Sequence, residues 1–366
     1  MSLVLESVGK LEGGEAHLSD IDLRLEPGGF NVLLGRTLAG KTSLMRVMAG
    51  LDRPTQGRVM MNGKDVTGVP VRKRNLSMVY QQFINYPGMT VYDNIGSPLR
   101  QARMPRAEID RRVRETAALL RIDNLLQRYP LELSGGQQQR TAMARALVKD
   151  AELILFDEPL VNLDYKLREE FRSELRTLFR TRDCIAVYAT TEPTEALALG
   201  GHVAVLHEGR LVQFGPTPDV YRRPRNALAA RMFSEPPMNI IPGTIADGEI
   251  GLDRLARFPS TGRLAALDSG AYQFGVRASH LRLERRAVDD VALDVPVVLS
   301  EISGSETFLH VGGQQSPELG LHLPGVHDFQ VGESITVYLP VDRLYVFDQA
   351  GEALMAIDDG EGLRHG

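Results

Sequence analysis

Residues Gly35-Arg36-Thr37-Leu38-Ala39-Gly40-Lys41-Thr42 fit the pattern G-x-x-x-x-G-K-[ST], and no other feature narrows the fold as far. The pattern works only where a β-strand ends in a tight loop that opens directly into a helix, so that loop N–H groups and the helix N-terminus converge on a phosphate. The flanks supply both. FNVLL before the loop is apolar throughout, and SLMRVMAGL after it has a helical pattern. Further apolar runs stand at LILFDE (153–158), CIAVYAT (184–190) and HVAVLHEG (202–209). Strands apolar on both faces suit a mostly parallel sheet covered by helices, an α/β architecture. In it Lys41 would reach the β- and γ-phosphates and the Thr42 hydroxyl would ligate Mg²⁺. The backbone of Gly35, Arg36, Thr37, Leu38, Ala39, Gly40 and Ser43 would wrap the phosphate chain.

Two further motifs add chemistry. LILFDE is an apolar strand ending in two carboxylates. Asp157 at the strand end can hold Mg²⁺, and Glu158 can then orient or polarise an attacking water. Leu133-Ser134-Gly135-Gly136-Gln137 leads into QQQRTAMARALVKD, where Ala142, Met143, Ala146 and Leu147 form an apolar stripe. Ser134 reads as a helix N-cap. Gly135 and Gly136 let an anion approach the free N–H groups closely.

Organisation follows from where these patterns stop. Strand signals fade between 82 and 150, where 105–121 reads as an amphipathic helix with Ile109, Val113 and Leu120 on one side and RRVRE as a solvated face. Composition shifts at SEPPMNIIPG (234–243), a Pro-rich boundary. Beyond it VPVVLSEI, TFLHV and SITVYLP alternate in period two between Gly and Pro, the pattern of a small β-barrel or sandwich. The expected division is therefore 1–235 and 236–366. No run approaches the ~18 apolar residues of a spanning helix. The start, MSLVLESVGK, lacks the basic and apolar regions of a secretory signal, so any membrane role is expected through partners and the compartment is expected to be the cytosol. A net charge of −5 does not favour non-specific nucleic-acid binding. The single Cys184 reads as a buried small hydrophobe.

The order GRTLAGKT, YQQF, LSGGQ, LILFDEP and NLD resembles the ATP-binding cassette (ABC) ATPases over nearly all of 1–235. The resemblance implies a P-loop NTPase fold, with 82–150 as its helical subdomain and ATP and Mg²⁺ as its ligands. It implies that Gln81 touches Mg²⁺ and senses a membrane partner, and that Asn162, Leu163 and Asp164 form the D-loop. Two such cassettes pack head to tail, with each ATP between the phosphate loop of one chain and the LSGGQ of the other. FSEPPMNIIPG, FGVRASHL, LSEISGSETFLHV and LPVDRLYVFD resemble the accessory OB-like β-domain of sugar and polyol importer ATPases, and YPGMTVYDNI is similar to that group as well. This implies two membrane permease subunits, an external solute-binding protein, and a place at the cytoplasmic face of the cell membrane.

The sequence departs from that family at the site itself. Importers of this type place a histidine after the strand CIAVYAT, where it contacts the γ-phosphate and helps position water; here alignment puts Thr191 there, and His202 and His207 lie on the next strand. An aromatic residue usually stacks on adenine before the first hairpin turn; KLEGGEA offers Glu12 instead. Val161 replaces the usual serine before NLD, and the bulky Leu38 stands within the phosphate loop. Thr191 and Glu12 would belong to one site, whereas LSGGQ serves the opposite one. The expectation is an asymmetric pair with a second, non-identical ATPase, as the glycerol-type polyol importers pair unlike chains. The alternatives are a homodimer that tolerates threonine, a soluble ABC-type ATPase acting on DNA or ribosomes, and a regulatory subunit. The DNA type needs a long coiled-coil insertion between 43 and 132, which is absent, and the ribosomal type carries two cassettes.

Overall fold

The computed structural model describes residues 1–82, 84–160, 165–180, 182–313 and 316–356. The chain forms two compact units, Met1–Thr217 and Pro218–Gly366.

In the first unit β1 (Leu3–Glu12) and β2 (Glu15–Leu25) form a hairpin, followed by β3 (Phe30–Leu34), α1 (Lys41–Ala49), β4 (Gln56–Met61), β5 (Lys64–Asp65) and β6 (Leu76–Val79). Three helices come next, α2 (Val91–Gln101), α3 (Arg106–Leu119) and α4 (Gly135–Leu147). Then the chain alternates: β7 (Leu153–Asp157), α5 (Tyr165–Phe179), β8 (Ile185–Thr190), α6 (Pro193–Leu199), β9 (His202–His207) and β10 (Arg210–Pro216). The main sheet has the order β10-β9-β3-β8-β7-β6. It is parallel from β6 to β9, and β10 returns antiparallel. A second sheet, β2-β1-β4-β5, is antiparallel.

Each of the four strands foreseen from apolar runs is present, and β3, β7 and β8 are buried at every position. That is what coverage on both faces requires. On one face Leu44, Met45 and Met48 of α1 join Leu33, Leu155 and Leu206 of the main sheet and Leu5, Ile21 and Leu25 of the second sheet in one core. On the other, Phe179 of α5 meets Phe30 and Phe156 with ring centroids 4.9 and 5.6 Å apart. Between Val79 and Leu153 no described residue is in a strand. Ile109, Val113 and Leu120 are buried there. Arg111, Arg112 and Arg114 instead form ion pairs with Glu108, Glu115, Asp110 and Asp150, so RRVRE is a solvated face.

The second unit opens with α7 (Thr217–Arg222), of which all but Thr217 falls on its side of the division, and α8 (Ala227–Met232). Its strands are β11 (Asn239–Ala246), β12 (Glu249–Leu252), β13 (Ala256–Pro259), β14 (Gly270–Val276), β15 (Val291–Ser303), β16 (Glu306–Gly313), β17 (Ser316–Pro324), β18 (Ser334–Leu339), β19 (Tyr345–Phe347) and β20 (Ala353–Met355). They make two sheets, β13-β12-β11-β14-β19-β20 and β17-β16-β15-β18, which enclose one apolar core in the manner of a small barrel. The division falls at Thr217–Pro218, ahead of the Pro-rich segment expected to mark it at 235. The reason is Arg277, buried in the β unit. Its guanidinium donates to the carbonyls of Tyr221 and Phe233 and to Ser234 Oγ, and stacks 3.7 Å over the Tyr221 ring. Residues 218–235 are thereby held to the β unit, and Pro-rich composition marked the entry to β11 instead.

Candidate nucleotide site

Three parallel strands end together and bring the site residues to one edge of the sheet. Leu34 of β3 pairs with Thr190 of β8, and Asp157 of β7 pairs with Ala189 of β8, so the chain leaves all three strands at the same level. Ligands of open α/β sheets bind outside such carboxyl ends. Gly35 starts the loop because nothing larger fits: an added Cβ would lie 2.6 Å from Leu206 O and 2.7 Å from Ala39 Cβ. Gly40 then turns the chain into α1 at φ 96°, with no side-chain cap on the helix. The first-turn N–H groups of a helix have no intrahelical acceptor, and here they border a 540 Å³ pocket lined by residues 37–43, Gln81 and Glu158. A phosphate chain fits this set: a cradle of backbone, an uncapped helix start, one ammonium, and carboxylates able to hold a divalent cation.

Lys41 is buried, and its three ammonium N–H directions are all directed at oxygen. Nζ lies 2.7 Å from Gly35 O, 3.1 Å from Arg36 O and 3.1 Å from Glu158 Oε1. A phosphate oxygen that engages Lys41 competes with these partners. The Thr42 hydroxyl donates toward both Asp157 carboxylate oxygens, at 3.1 and 3.0 Å. Burial raises the Asp157 pKa, the neighbouring Glu158 charge adds to the rise, and the Thr42 hydroxyl and Lys41 oppose it. A cation bound there would remove the cost of that buried negative charge. Gln81 Nε2 donates to Glu158 Oε2 at 3.4 Å.

Glu158 itself has φ 45°, a left-handed backbone that costs a non-glycine residue roughly 1–2 kcal/mol. Its N–H donates to Ala189 O at 3.1 Å, which fixes the carboxylate-bearing turn to the end of β8. Leu38 is also left-handed, at φ 67°, and its side chain is 94% exposed.

The turn after β8 is held from both sides. Thr190 Oγ1 donates to Glu195 Oε2 at 2.6 Å and accepts the Glu192 N–H at 3.0 Å, while Tyr188 OH donates to the same Glu195 oxygen at 3.2 Å. Arg168 Nη1 on α5 grips both Glu192 oxygens, at 2.7 and 2.9 Å. Thr191 sits between these anchored neighbours, half-buried and outside the pocket lining. Gly35 N–H donates to Thr190 O at 3.3 Å, so this turn and the phosphate loop are directly joined.

Ser134 caps α4 as its sequence suggests, in a reciprocal box with Gln137: Gln137 N–H donates to Ser134 Oγ and Ser134 N–H to Gln137 Oε1. Ser134 and Gly135 are exposed, and neither they nor Gly136 and Gln137 line the pocket around Lys41. Glu12 ends β1, exposed, and does not line it either. Val161, Asn162, Leu163 and Asp164 lie outside the described residues.

The structure adds lining residues that the sequence reading missed: Glu15, Ala16, His17, Glu208 and Gly209. His17, an exposed residue of β2, lines the pocket in a stretch that holds no Phe, Tyr or Trp. Its backbone crosses the loop closely, since a Cβ on Gly40 would lie 3.0 Å from His17 O. The available signal was strand alternation: Leu18 points into the core, which leaves His17 on the opposite face.

Residues 18–161 match the ABC transporter family and residues 274–347 the TOBE domain. A trehalose/maltose import ATP-binding protein of Thermococcus litoralis is 38% identical over 370 residues, covering 96% of this chain and 98% of that protein. An sn-glycerol-3-phosphate import ATP-binding protein of Rhizobium etli is 37% identical over 342 residues, covering 93% and 95%. The chain belongs to the ABC transporter ATPases. A xylose/arabinose import ATP-binding protein of Haloferax volcanii is similar to this ABC ATPase at 36% identity over 364 residues, covering 96% and 95%. Among solved structures, a dimeric post-hydrolysis ATP-binding cassette bound to ADP and Pi aligns with a TM-score of 0.54 at 27% identity, covering 59% of this chain and 98% of that one. The P-loop fold of the ABC ATPase and its C-terminal TOBE domain thus agree with the α/β and β-barrel reading of the sequence.

Proposed function

We propose that this ABC ATPase is the energy-coupling subunit of an importer for a sugar or polyol, glycerol-like in size, working with two permease subunits and an external solute-binding protein at the cytoplasmic face of the cell membrane. The observation that carries the ATP chemistry is the chain of contacts from Lys41 through Glu158 to Gln81, beside Thr42 and Asp157. The import-protein names of relatives that match nearly the full length support the transport role.

In this reading the loop Gly35 to Ser43 binds the phosphate chain and Lys41 carries its terminal charge. Thr42, Asp157 and Gln81 would hold Mg²⁺, which would neutralise phosphate charge. Glu158 orients and polarises the attacking water, and its strained backbone, tied to Ala189, keeps the carboxylate at that position. Ser134 to Gln137, at the start of α4 with Ser134 and Gly135 exposed, close on the nucleotide of a partner cassette. His17 offers the base a ring to stack on, so Glu12 leaves the base end less deficient than the sequence suggests.

Thr191 marks the difference within this site. Its turn is braced as a switch turn needs to be, yet threonine has no imidazole and is short. The reading is an asymmetric pair: this chain supplies a site that binds ATP and hydrolyses it slowly, and an unlike ATPase supplies a complete switch to face Ser134. Tagging the chain and measuring subunit ratios in the complex purified from native membranes tests it. The expected result is one second ATPase per chain with two permeases. Two copies of this chain alone would refute the asymmetry, and absence of any permease would refute the transport role.

A further inference from the structure

The second unit carries a groove of about 760 Å³ unrelated to the nucleotide site, on the outer face of the sheet β13-β12-β11-β14. Its floor follows from strand register. Arg257 pairs with Gly251, Gly251 with Thr244, and Thr244 with Ala271, so one row crosses four strands with only small side chains at its centre. The floor is therefore low, and the rim is basic. Arg257 bounds one end, Arg254 comes from the β12–β13 turn, and Arg231 comes from α8. No described residue gives any of the three guanidinium groups a hydrogen bond or ion pair. Asp253 is the single carboxylate in the lining, against three cations. The turn that presents Arg254 is fixed: Asp253 N–H donates to Pro242 O, Leu255 N–H donates to Leu252 O, and Arg254 itself has φ 53°.

The rest of the lining is uncharged: Ile240, Pro242, Leu252 and Ala271 are apolar, and Thr244, Tyr272, Gln273 and Gln349 bring polar groups. The Thr244 hydroxyl stands over the glycine in the row, and Gln273 donates Nε2 to Gln349 O, which leaves its Oε1 free to accept. Guanidinium forks match the oxygens of a phosphate monoester. Hydroxyl and amide groups over a low floor match a chain or ring of hydroxyls. The volume lies within the ~300–1,000 Å³ range of small-molecule sites.

We propose that this groove binds a small phosphorylated sugar or polyol, held by Arg254, Arg257 and Arg231 through its phosphate and by Thr244 and Gln273 through its hydroxyls. This link rests on the import function proposed above: such a compound is what phosphorylation of an imported polyol or sugar yields, so the accessory unit would register the product of the step that consumes the cargo.

The test is calorimetric titration of the full chain with its phosphate loop saturated by Mg-ADP, using glucose 6-phosphate, glycerol 3-phosphate, glucose and inorganic phosphate as probes. The expected result is saturable binding of at least one phosphate ester, with inorganic phosphate and glucose each at least about tenfold weaker. The R254Q/R257Q variant should bind that ester about tenfold more weakly for each guanidinium lost. Thr244→Val keeps the charges and tests the hydroxyl contact separately: it should weaken the ester and leave inorganic phosphate unchanged. No saturable binding, equal binding of inorganic phosphate, or an affinity unmoved in R254Q/R257Q with near-ultraviolet circular dichroism unchanged would each overturn the proposal.

Discussion

Where β3 and β7 end, the nucleotide site is a continuous set of contacts; where β8 ends, the support is equally tight but the group it supports is changed. On the first side Lys41 and Gln81 are linked to Glu158 at 3.1 and 3.4 Å, and Thr42 reaches Asp157. On the second, Thr190 and Glu192 are each anchored by buried or half-buried partners, and Thr191 between them adds a short hydroxyl side chain. The difference separates two tasks. In the proposed reading the first set binds phosphate and cation and supplies the water-orienting Glu158, while the second presents the switch residue that assists it. On that proposal, a chain that keeps the brace and alters the residue keeps the geometry of a switch and weakens its chemistry.

The largest effect is expected from removing the group that bridges the first set. Glu158→Gln should lower single-turnover hydrolysis at the Lys41 site by about 10²–10⁴ while ATP affinity changes only a few-fold. Retained turnover in that variant would mean that Glu158 is not the water-positioning carboxylate. A smaller effect tests the brace. Thr190→Val removes the hydroxyl that satisfies Glu195 and accepts the Glu192 N–H, and should destabilise the chain by about 1–3 kcal/mol in urea unfolding. A change within error would make the β8 turn independent of that network.

The smallest effect is in pH dependence. Burial raises the Glu195 pKa above its ordinary 4.5, the Glu192 charge adds to the rise, and hydrogen bonds from Thr190 and Tyr188 oppose it. The folded chain then keeps the proton to higher pH than the unfolded chain, so stability drops as pH rises from 4.5 through the folded-state value. Glu195→Gln has no such titration. Across that window the stability difference should shift steadily toward the variant, whatever its sign at the lower end. Parallel pH profiles of wild type and variant would sink the account of a buried carboxylate.

Much of this was legible beforehand, for identifiable reasons. Strands buried on both faces leave unmistakable apolar runs, and the phosphate loop, the acidic strand end and the capped α4 each carry their local physics in adjacent residues. What did not read out depends on contacts between distant segments. His17 lines the pocket because β2 crosses the loop, and a histidine on an exposed strand face carries no local sign of that. The division at Thr217–Pro218 depends on Arg277 reaching back to Tyr221 and Phe233, a link no composition shift announces. The brace on Thr191 joins α5, β8 and α6, and only the fold brings them together.

The central claim is that the Lys41 site binds ATP normally and hydrolyses it slowly because of Thr191. The direct measurement is ATP affinity and single-turnover hydrolysis for wild type and Thr191→His in the reconstituted importer. The account predicts unchanged affinity and hydrolysis at this site at least about tenfold faster in the variant, part of the ~10²–10⁴ an orienting acid/base group supplies. Equal hydrolysis rates in the two proteins would contradict it.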